Sequence, residues 1–252
     1  MPRLDQLLVK QQLAASRTRA QRLIKSGHVH RLDTGARLLK PSEPLAETTP
    51  LAVDDAPEER YVSRAGLKLE AVLSALDKRF DGQTVLDVGQ STGGFSDCAL
   101  RFGARHVIGI EVGHGQLAPS LRDDPRVSCL EGINARALTR SPAFATLCRR
   151  HPPSAAVMDV SFISQTLILP EIAAALPAGG ELLSLVKPQF ELDPSALGKR
   201  GVVRDARRYA EVRTRLEHAC RQSGLSIAHW QPSPITGGDG NREFLLHARC
   251  RA

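Results

Sequence analysis

The sequence contains no run of 18 or more apolar residues, so it offers no membrane-spanning helix. Its first stretch, MPRLDQLLVKQQ, places charges where a secretory leader has its apolar core, which predicts a cytoplasmic protein. Cysteine is sparse and unpatterned. Cys98, Cys129, Cys148, Cys220 and Cys250 form no C-x-x-C pair and are odd in number, which argues against a disulfide framework and predicts reduced thiols. The eight histidines show no H-x-x-x-H spacing, so no metal site is expected.

What is present is an ordinary globular composition, 42% hydrophobic and 24% charged, over 252 residues. That length accommodates one medium domain and one small one. The net charge of +7 is concentrated: residues 1–40 hold nine Lys/Arg against only Asp5 and Asp33, an excess as large as that of the whole chain. A basic block beside a neutral body suits polyanion binding. Within it, RLDQLLVKQQLAASRTRAQRLIKSGHV reads as two short helices. Leu4, Leu7, Leu8 and Leu13 form the apolar face of the first, and Ala20, Leu23 and Ile24 that of the second. Ser16 suits the N-cap of the second helix and Gly27 its C-terminal stop. Arg19, Arg22 and Lys25, three apart, fall on one outer face. A solvated face is the alternative, but the concentration of charge favours phosphate contacts. Short strands about an Asp33–Gly35 turn follow, and then a Pro- and acid-rich strand-and-linker stretch ending near residue 60.

From residue 61 the pattern changes. TVLDV, HVIGIEV, RVSCL, AAVMDV, ELLSLVK, SIAHW and EFLLHARC are short β-type runs, mostly separated by helix-length segments. This alternation predicts an α/β fold with a mostly parallel seven-stranded sheet, the last two runs forming an antiparallel hairpin at one edge. The loop after the first run, LDVGQSTGGF, holds Gly89, Gly93 and Gly94, which let backbone approach a ligand, with Ser91 and Phe95 between and beyond them. It is neither G-x-G-x-x-G nor a phosphate loop, and Asp87 at the strand exit is a poor neighbour for a pyrophosphate. An acid there suits a cation, and Glu111 at the end of the next run suits ribose hydroxyls. The pair predicts S-adenosylmethionine; NAD and a ligand-free glycine turn are the competing readings. Asn134 falls where an adenine edge would lie. Asp159, Lys187 and Glu243 mark three further strand ends, and Lys68 lies on the helix preceding the first strand.

Two resemblances rest on longer motifs. RLDQLLV, LAASRTRAQRLIKSGHV and the following KP resemble the S4-type RNA-binding module, with LDTG where that module usually has V-N-G. YVSRAGLKLE, LDVGQSTGGFSDCAL, GHGQLAPSLRDDPRV, MDVSFIS, LVKPQFE, GKRGVVRD and SPITGGDGN resemble the TlyA family, whose members also carry the name haemolysin. The resemblance implies an S4-like RNA-binding domain and linker over residues 1–60 and a Rossmann-like, FtsJ-type methyltransferase over residues 61–252. It implies methyl transfer from S-adenosylmethionine to a ribose 2′-hydroxyl of ribosomal RNA, with cytidine the expected nucleoside and ribosomal subunits the partner. It implies that Lys68, Asp159, Lys187 and Glu243 form the catalytic set. Asp87, Gly89, Ser91, Gly93, Gly94, Phe95, Glu111, Asn134 and Asp159 are expected at the donor. Arg3, Arg17, Arg19, Arg22 and Lys25, with Lys199, Arg200 and Arg204 of the basic loop at residues 190–209, are expected at RNA. Gln90 departs from the small residue usual in the family's loop. Lys187 is expected between Asp159 and Glu243, held by both, orienting the weakly nucleophilic hydroxyl and stabilising its developing charge; whether it also takes the proton stays open. A ribosome-assembly factor that binds RNA without turnover, and a pore-forming haemolysin, are the alternative functions.

Overall fold

A computed structural model describes residues 1–14, 16–54, 60–198, 201–238 and 240–251. The chain divides into two compact units, Met1–Arg60 and Tyr61–Ala252.

In the first unit, α1 (Leu4–Lys10) and α2 (Arg17–Lys25) precede an antiparallel pair, β1 (Val29–Arg31) and β2 (Leu51–Val53), in register Val29↔Val53. Leu4, Leu7 and Leu8 of α1 and Ala20, Leu23 and Ile24 of α2 are buried in one apolar cluster, with Leu13 packed against it. Each fully buried leucine contributes about 1.5–3 kcal/mol. The Ser16 hydroxyl accepts from the Arg19 N–H at 3.2 Å and so caps α2. Gly27, at φ +77°, turns the chain out of it.

The second unit is a three-layer α/β fold. Its strands are β3 (Thr84–Val88), β4 (His106–Ile110), β5 (Val127–Leu130), β6 (Ala155–Met158), β7 (Glu181–Val186), β8 (Leu225–Pro232) and β9 (Phe244–Cys250). Their order is β5-β4-β3-β6-β7-β9-β8, parallel except for β9, which runs against both its neighbours. Its helices are α3 (Ala65–Ala75), α4 (Gly94–Arg101), α5 (Pro119–Arg122), α6 (Pro142–Arg150), α7 (Leu169–Ala175), α8 (Pro188–Glu191) and α9 (Arg208–Gln222). The alternation of strand side chains divides the core. Val85, Val157, Leu183, Leu185 and Leu245 pack with Leu69 and Leu73 of α3 on one face. Leu86, Met158, Val186 and Leu246 pack with Ile172 and Leu216 on the other.

Strand order reverses between β3 and β6, whose carboxyl ends therefore open a crevice, the place where sheets of this kind bind ligands. Asp87, Glu111, Asp159 and Lys187 lie at the carboxyl ends of β3, β4, β6 and β7. Because β9 is antiparallel, its beginning lies at the same sheet edge. Val186 pairs with Phe244, so Lys187 and Glu243 stand one step beyond a paired position on neighbouring strands.

Candidate active site

A cavity of about 520 Å³ occupies the crevice, a size suited to a nucleoside-bearing ligand. Gly89, Ser91, Glu111, Asn134 and Asp159 line it, with Ile110, Ile133 and Ile168 as its apolar wall. Gly89 has φ +83°, and a Cβ there would lie 2.5 Å from the Asp159 carbonyl oxygen, so the loop can approach β6 only without a side chain. Glu111 ties the loop down: its carboxylate accepts from the Ser91 and Gly113 N–H groups, each at 2.8 Å. A carboxylate has about four acceptor positions, so Glu111 retains capacity for two hydroxyls. Asn134 accepts from the Arg136 N–H at 3.0 Å and caps the turn that presents it.

The other loop residues do different work. Gly93 and Gly94 are needed for packing: a Cβ at Gly93 would lie 2.4 Å from Leu121 Cδ1, and one at Gly94 2.2 Å from Ser63 Oγ. Phe95 is a core residue. Asp87 is fully buried on the sheet face that carries Val85, turned toward α4 and away from the cavity wall. Its Oδ2 accepts from the Ser96 hydroxyl at 2.6 Å, while its Oδ1 has no partner. Gln90 completes this chain. It fills the hollow over Gly109, and its Nε2 donates to Ser96 Oγ at 2.8 Å. The departure at position 90 thus lies beneath the loop, outside the cavity lining. Burial pushes the Asp87 carboxyl up to about 7; the Ser96 hydrogen bond opposes this, and the charges of Asp159 and Glu111 add to it.

The residues fit S-adenosylmethionine better than a dinucleotide. Gly89 and Gln90 N–H donate to the Ile110 carbonyl, Ser91 N–H to Glu111 and Gly93 N–H to the Gln90 carbonyl. These amides, which a pyrophosphate would require, are therefore already used. Two acids, Glu111 and Asp159, line the crevice, an environment that favours a cationic ligand.

Beside the cavity stand two lysine–carboxylate pairs. Lys187 Nζ lies 2.6 Å from Asp159 Oδ1 and donates to Ser161 Oγ at 2.9 Å. Lys68 of α3 donates to Glu243 Oε2, both side chains being buried. Lys187 therefore does not bridge both acids as the sequence suggested. Glu243 shares the sheet face of Leu245, which packs under α3, and a buried carboxylate there is neutralised by the cation α3 supplies. Lys187 turns instead to its neighbour on β6.

Contacts between distant segments add residues that sequence spacing did not reveal. Ser161 completes the Lys187 cradle. Glu191, 2% exposed, accepts from Ser164 Oγ at 2.6 Å and from Gln165 N–H at 2.8 Å. The Gln165 side chain in turn donates to the Leu185 carbonyl at 2.6 Å and accepts from Ser184 Oγ at 2.8 Å, which fastens the loop after β6 to β7. Phe162, 92% exposed with φ +63°, stands at the cavity mouth, its ring 5.1 Å from that of Phe190. The only sequence signal for Ser161, Phe162, Ser164, Phe190 and Glu191 was their inclusion in the MDVSFIS and LVKPQFE motifs; Gln165 and Ser184 lie just outside them.

A model of the FtsJ-like methyltransferase family matches residues 61–250, and an S4 domain model matches residues 2–31. The chain belongs to the FtsJ-like methyltransferase family. Its methyl donor is S-adenosylmethionine. It is 44% identical to YqxC of Bacillus subtilis over 245 residues, 97% of this chain and 84% of that one. It is 38% identical to the 16S/23S rRNA (cytidine-2′-O)-methyltransferase TlyA of Mycobacterium tuberculosis over 249 residues, 99% of this chain and 90% of that one. A solved structure from Streptococcus thermophilus that carries a hemolysin name superposes with a TM-score of 0.73 at 38% identity, covering 99% of this chain and 88% of the other.

In the S4 unit the expected RNA ligands differ in their freedom. Asp5 is fully buried and accepts from Gln21 at 2.7 Å and from Arg3 and Arg17 at 3.1 Å each. Burial raises its carboxyl, but those three hydrogen bonds prevail and hold it down at about 2. Arg3 and Arg17 are thus fixed at one end while remaining about half exposed. Arg22 and Lys25 are exposed, whereas Arg19 is half-buried and lines a hollow together with Leu13 and Ala14, so the outer face of α2 is narrower than its spacing implied. Arg204 of the methyltransferase unit is exposed, and Lys199 and Arg200 lie outside the described residues.

Proposed function

We propose that the chain methylates a ribose 2′-hydroxyl of ribosomal RNA, at cytidine as in the TlyA relative, with Lys68, Asp159, Lys187 and Glu243 at the acceptor and residues 1–60 holding the RNA. The observation that carries this reading is Asp159, which lines the donor cavity and also pairs with Lys187, so donor and acceptor sites meet at one carboxylate. S-adenosylmethionine supplies an electrophilic methyl on a sulfonium. The protein's task is to bring a weak, high-pKa nucleophile into line with it. Lys187, held by Asp159 and Ser161, directs a remaining N–H at the acceptor oxygen and stabilises charge that develops there. Lys68, neutralised by Glu243, places a second cation at the same edge, where a hydroxyl or its neighbouring phosphate can receive it. The exposed, backbone-strained Phe162 offers a face on which a base splayed out of its helix can stack.

The test is transfer of labelled methyl to ribosomal subunits from a strain lacking the gene, followed by mapping of the product. A single 2′-O-methylated cytidine in each substrate RNA is expected; base methylation, or none, refutes the reading. In single-turnover assays Lys187→Ala should lose more than nine-tenths of the rate while donor affinity stays within a few-fold, because Lys187 serves the acceptor.

A further inference from the structure

The outer edge of the methyltransferase sheet carries a groove that the transfer site does not use. β8 is the edge strand, and α9 packs beside it. Between them lies a cavity of about 370 Å³. Arg213, Glu217 and Arg221, four residues apart on one stripe of α9, line it, together with Trp230 of β8 and Arg251. Three guanidinium groups thus face one carboxylate. Arg213 pairs with Glu217 at 2.9 Å, and its guanidinium also lies 6.0 Å from the centre of the Trp230 ring. Among the described residues, neither Arg221 nor Arg251 has an ion-pair partner. The groove is a built positive surface with an aromatic wall, the composition that suits a nucleic-acid backbone.

The strand itself excludes a different occupant. A free sheet edge can accept a strand from another protein. Here the β8–β9 register shifts between Ile227 and His229, and β8 ends at Pro232, two devices that blunt an edge against strand addition. What remains attractive is the charge. The groove and the transfer site lie toward opposite ends of β9: Glu243 precedes its first residue and Arg251 follows its last, roughly 26 Å apart along the strand, and the two ends are joined through β8. Pro232 pairs with Phe244, the residue after Glu243, and Trp230 stacks on Phe244 with centroids 5.3 Å apart. From Arg213 to Arg221 the stripe extends about 12 Å along α9.

We propose that this groove holds the phosphate backbone of the substrate RNA beyond the target nucleotide, using Arg213, Arg221 and Arg251. This rests on the RNA 2′-O-methyltransferase reading and adds to it a second, sequence-independent contact outside the S4 unit. Such a contact fixes the register of the RNA over the catalytic pairs without reading its bases.

The experiment uses the full chain and the double variant Arg221→Glu/Arg251→Glu, both substitutions being at exposed positions. Binding of ribosomal subunits and of a short single-stranded RNA oligonucleotide is measured across a salt series, with donor affinity as the control for folding. The variant should bind both RNAs at least tenfold more weakly. Its log affinity against log salt should flatten by about 0.7–0.9 for each phosphate that is no longer neutralised. Arg221→Lys/Arg251→Lys should keep the wild-type slope. Equal affinities and parallel slopes overturn the proposal, as does groove-dependent binding of poly-glutamate with RNA binding unchanged, which would assign the groove to an acidic protein. If the wild type methylates no subunit, the functional reading fails separately, and the oligonucleotide slopes still decide the groove.

Discussion

Replacing Glu191 tests how Lys187, the proposed catalytic lysine, is held. This carboxylate accepts the Gln165 N–H and the Ser164 hydroxyl, at the far end of the loop that begins with Asp159 and contains Ser161. Burial pushes its carboxyl above the ordinary range, and the bonds from Ser164 and Gln165 oppose the push. Glu191→Gln preserves shape and one acceptor oxygen but turns an amide toward at least one donor. Leaving one buried donor unsatisfied costs roughly 1–3 kcal/mol. In a unit of this size that lowers the thermal midpoint by about 2–4 °C per kcal/mol. The larger effect falls on chemistry, because Ser161 and Asp159 fix Lys187, and a misplacement on the order of 1 Å can cost about a hundredfold in rate. Single-turnover methyl transfer at saturating donor should therefore fall at least tenfold, and Glu191→Asp should recover part of it. A lowered melting temperature with an unchanged rate would refute the positioning role; no change in either would refute the account of the loop itself.

Two other perturbations follow from buried charge and from the basic unit. The Asp87 carboxyl, at about 7 in the folded chain against an ordinary 3.8, binds a proton that the unfolded chain releases within that window, so its contribution to stability is present below 3.8 and is lost as pH rises toward and through 7. Asp87→Asn should remove this loss, flatten the pH dependence of the melting temperature of the donor-free protein and raise it above pH 7; a parallel curve would show that Asp87 is ionised at no cost. In the S4 unit, Arg22→Ala/Lys25→Ala should weaken subunit binding and flatten its salt dependence by about 0.7–0.9 for each phosphate the two side chains neutralise. Arg19→Ala, at a half-buried position, should instead act mainly on melting temperature, and a salt slope reduced by Arg19→Ala alone would reverse that assignment.

What could be read from the sequence was whatever depends on local pattern. Strand runs, the terminal hairpin, the Ser16 cap and the inward leucines of α1 follow from periodicity and capping chemistry, which act over a few residues. Strand ends are also local features, and a parallel sheet gathers them at one edge, so Glu111, Asp159 and Lys187 could be brought together from the order of the runs alone. Side-chain direction could not. Asp87 and Glu111 both close apolar runs after which a glycine soon follows, yet Asp87 turns under α4 to Ser96, while Glu111 faces the cavity and holds the loop that follows β3. The difference lies in position along the strand: Asp87 is still inside β3, on the face of Val85 and beneath α4, whereas Glu111 stands one residue past the end of β4, where the sheet no longer dictates its direction. The lysine pairing has a different origin. Lys68 and Glu243 are separated by 175 positions, and only the passage of α3 over β9 makes them partners. That exchange of partners bears on the proposed chemistry: with Glu243 committed to Lys68, Lys187 answers to Asp159 and a serine hydroxyl, so two separately neutralised lysines stand in place of one lysine between two acids. In the proposed reaction two cations would stabilise a developing alkoxide more strongly than one, which would give the α3 lysine a part in transfer beside the strand-end lysine.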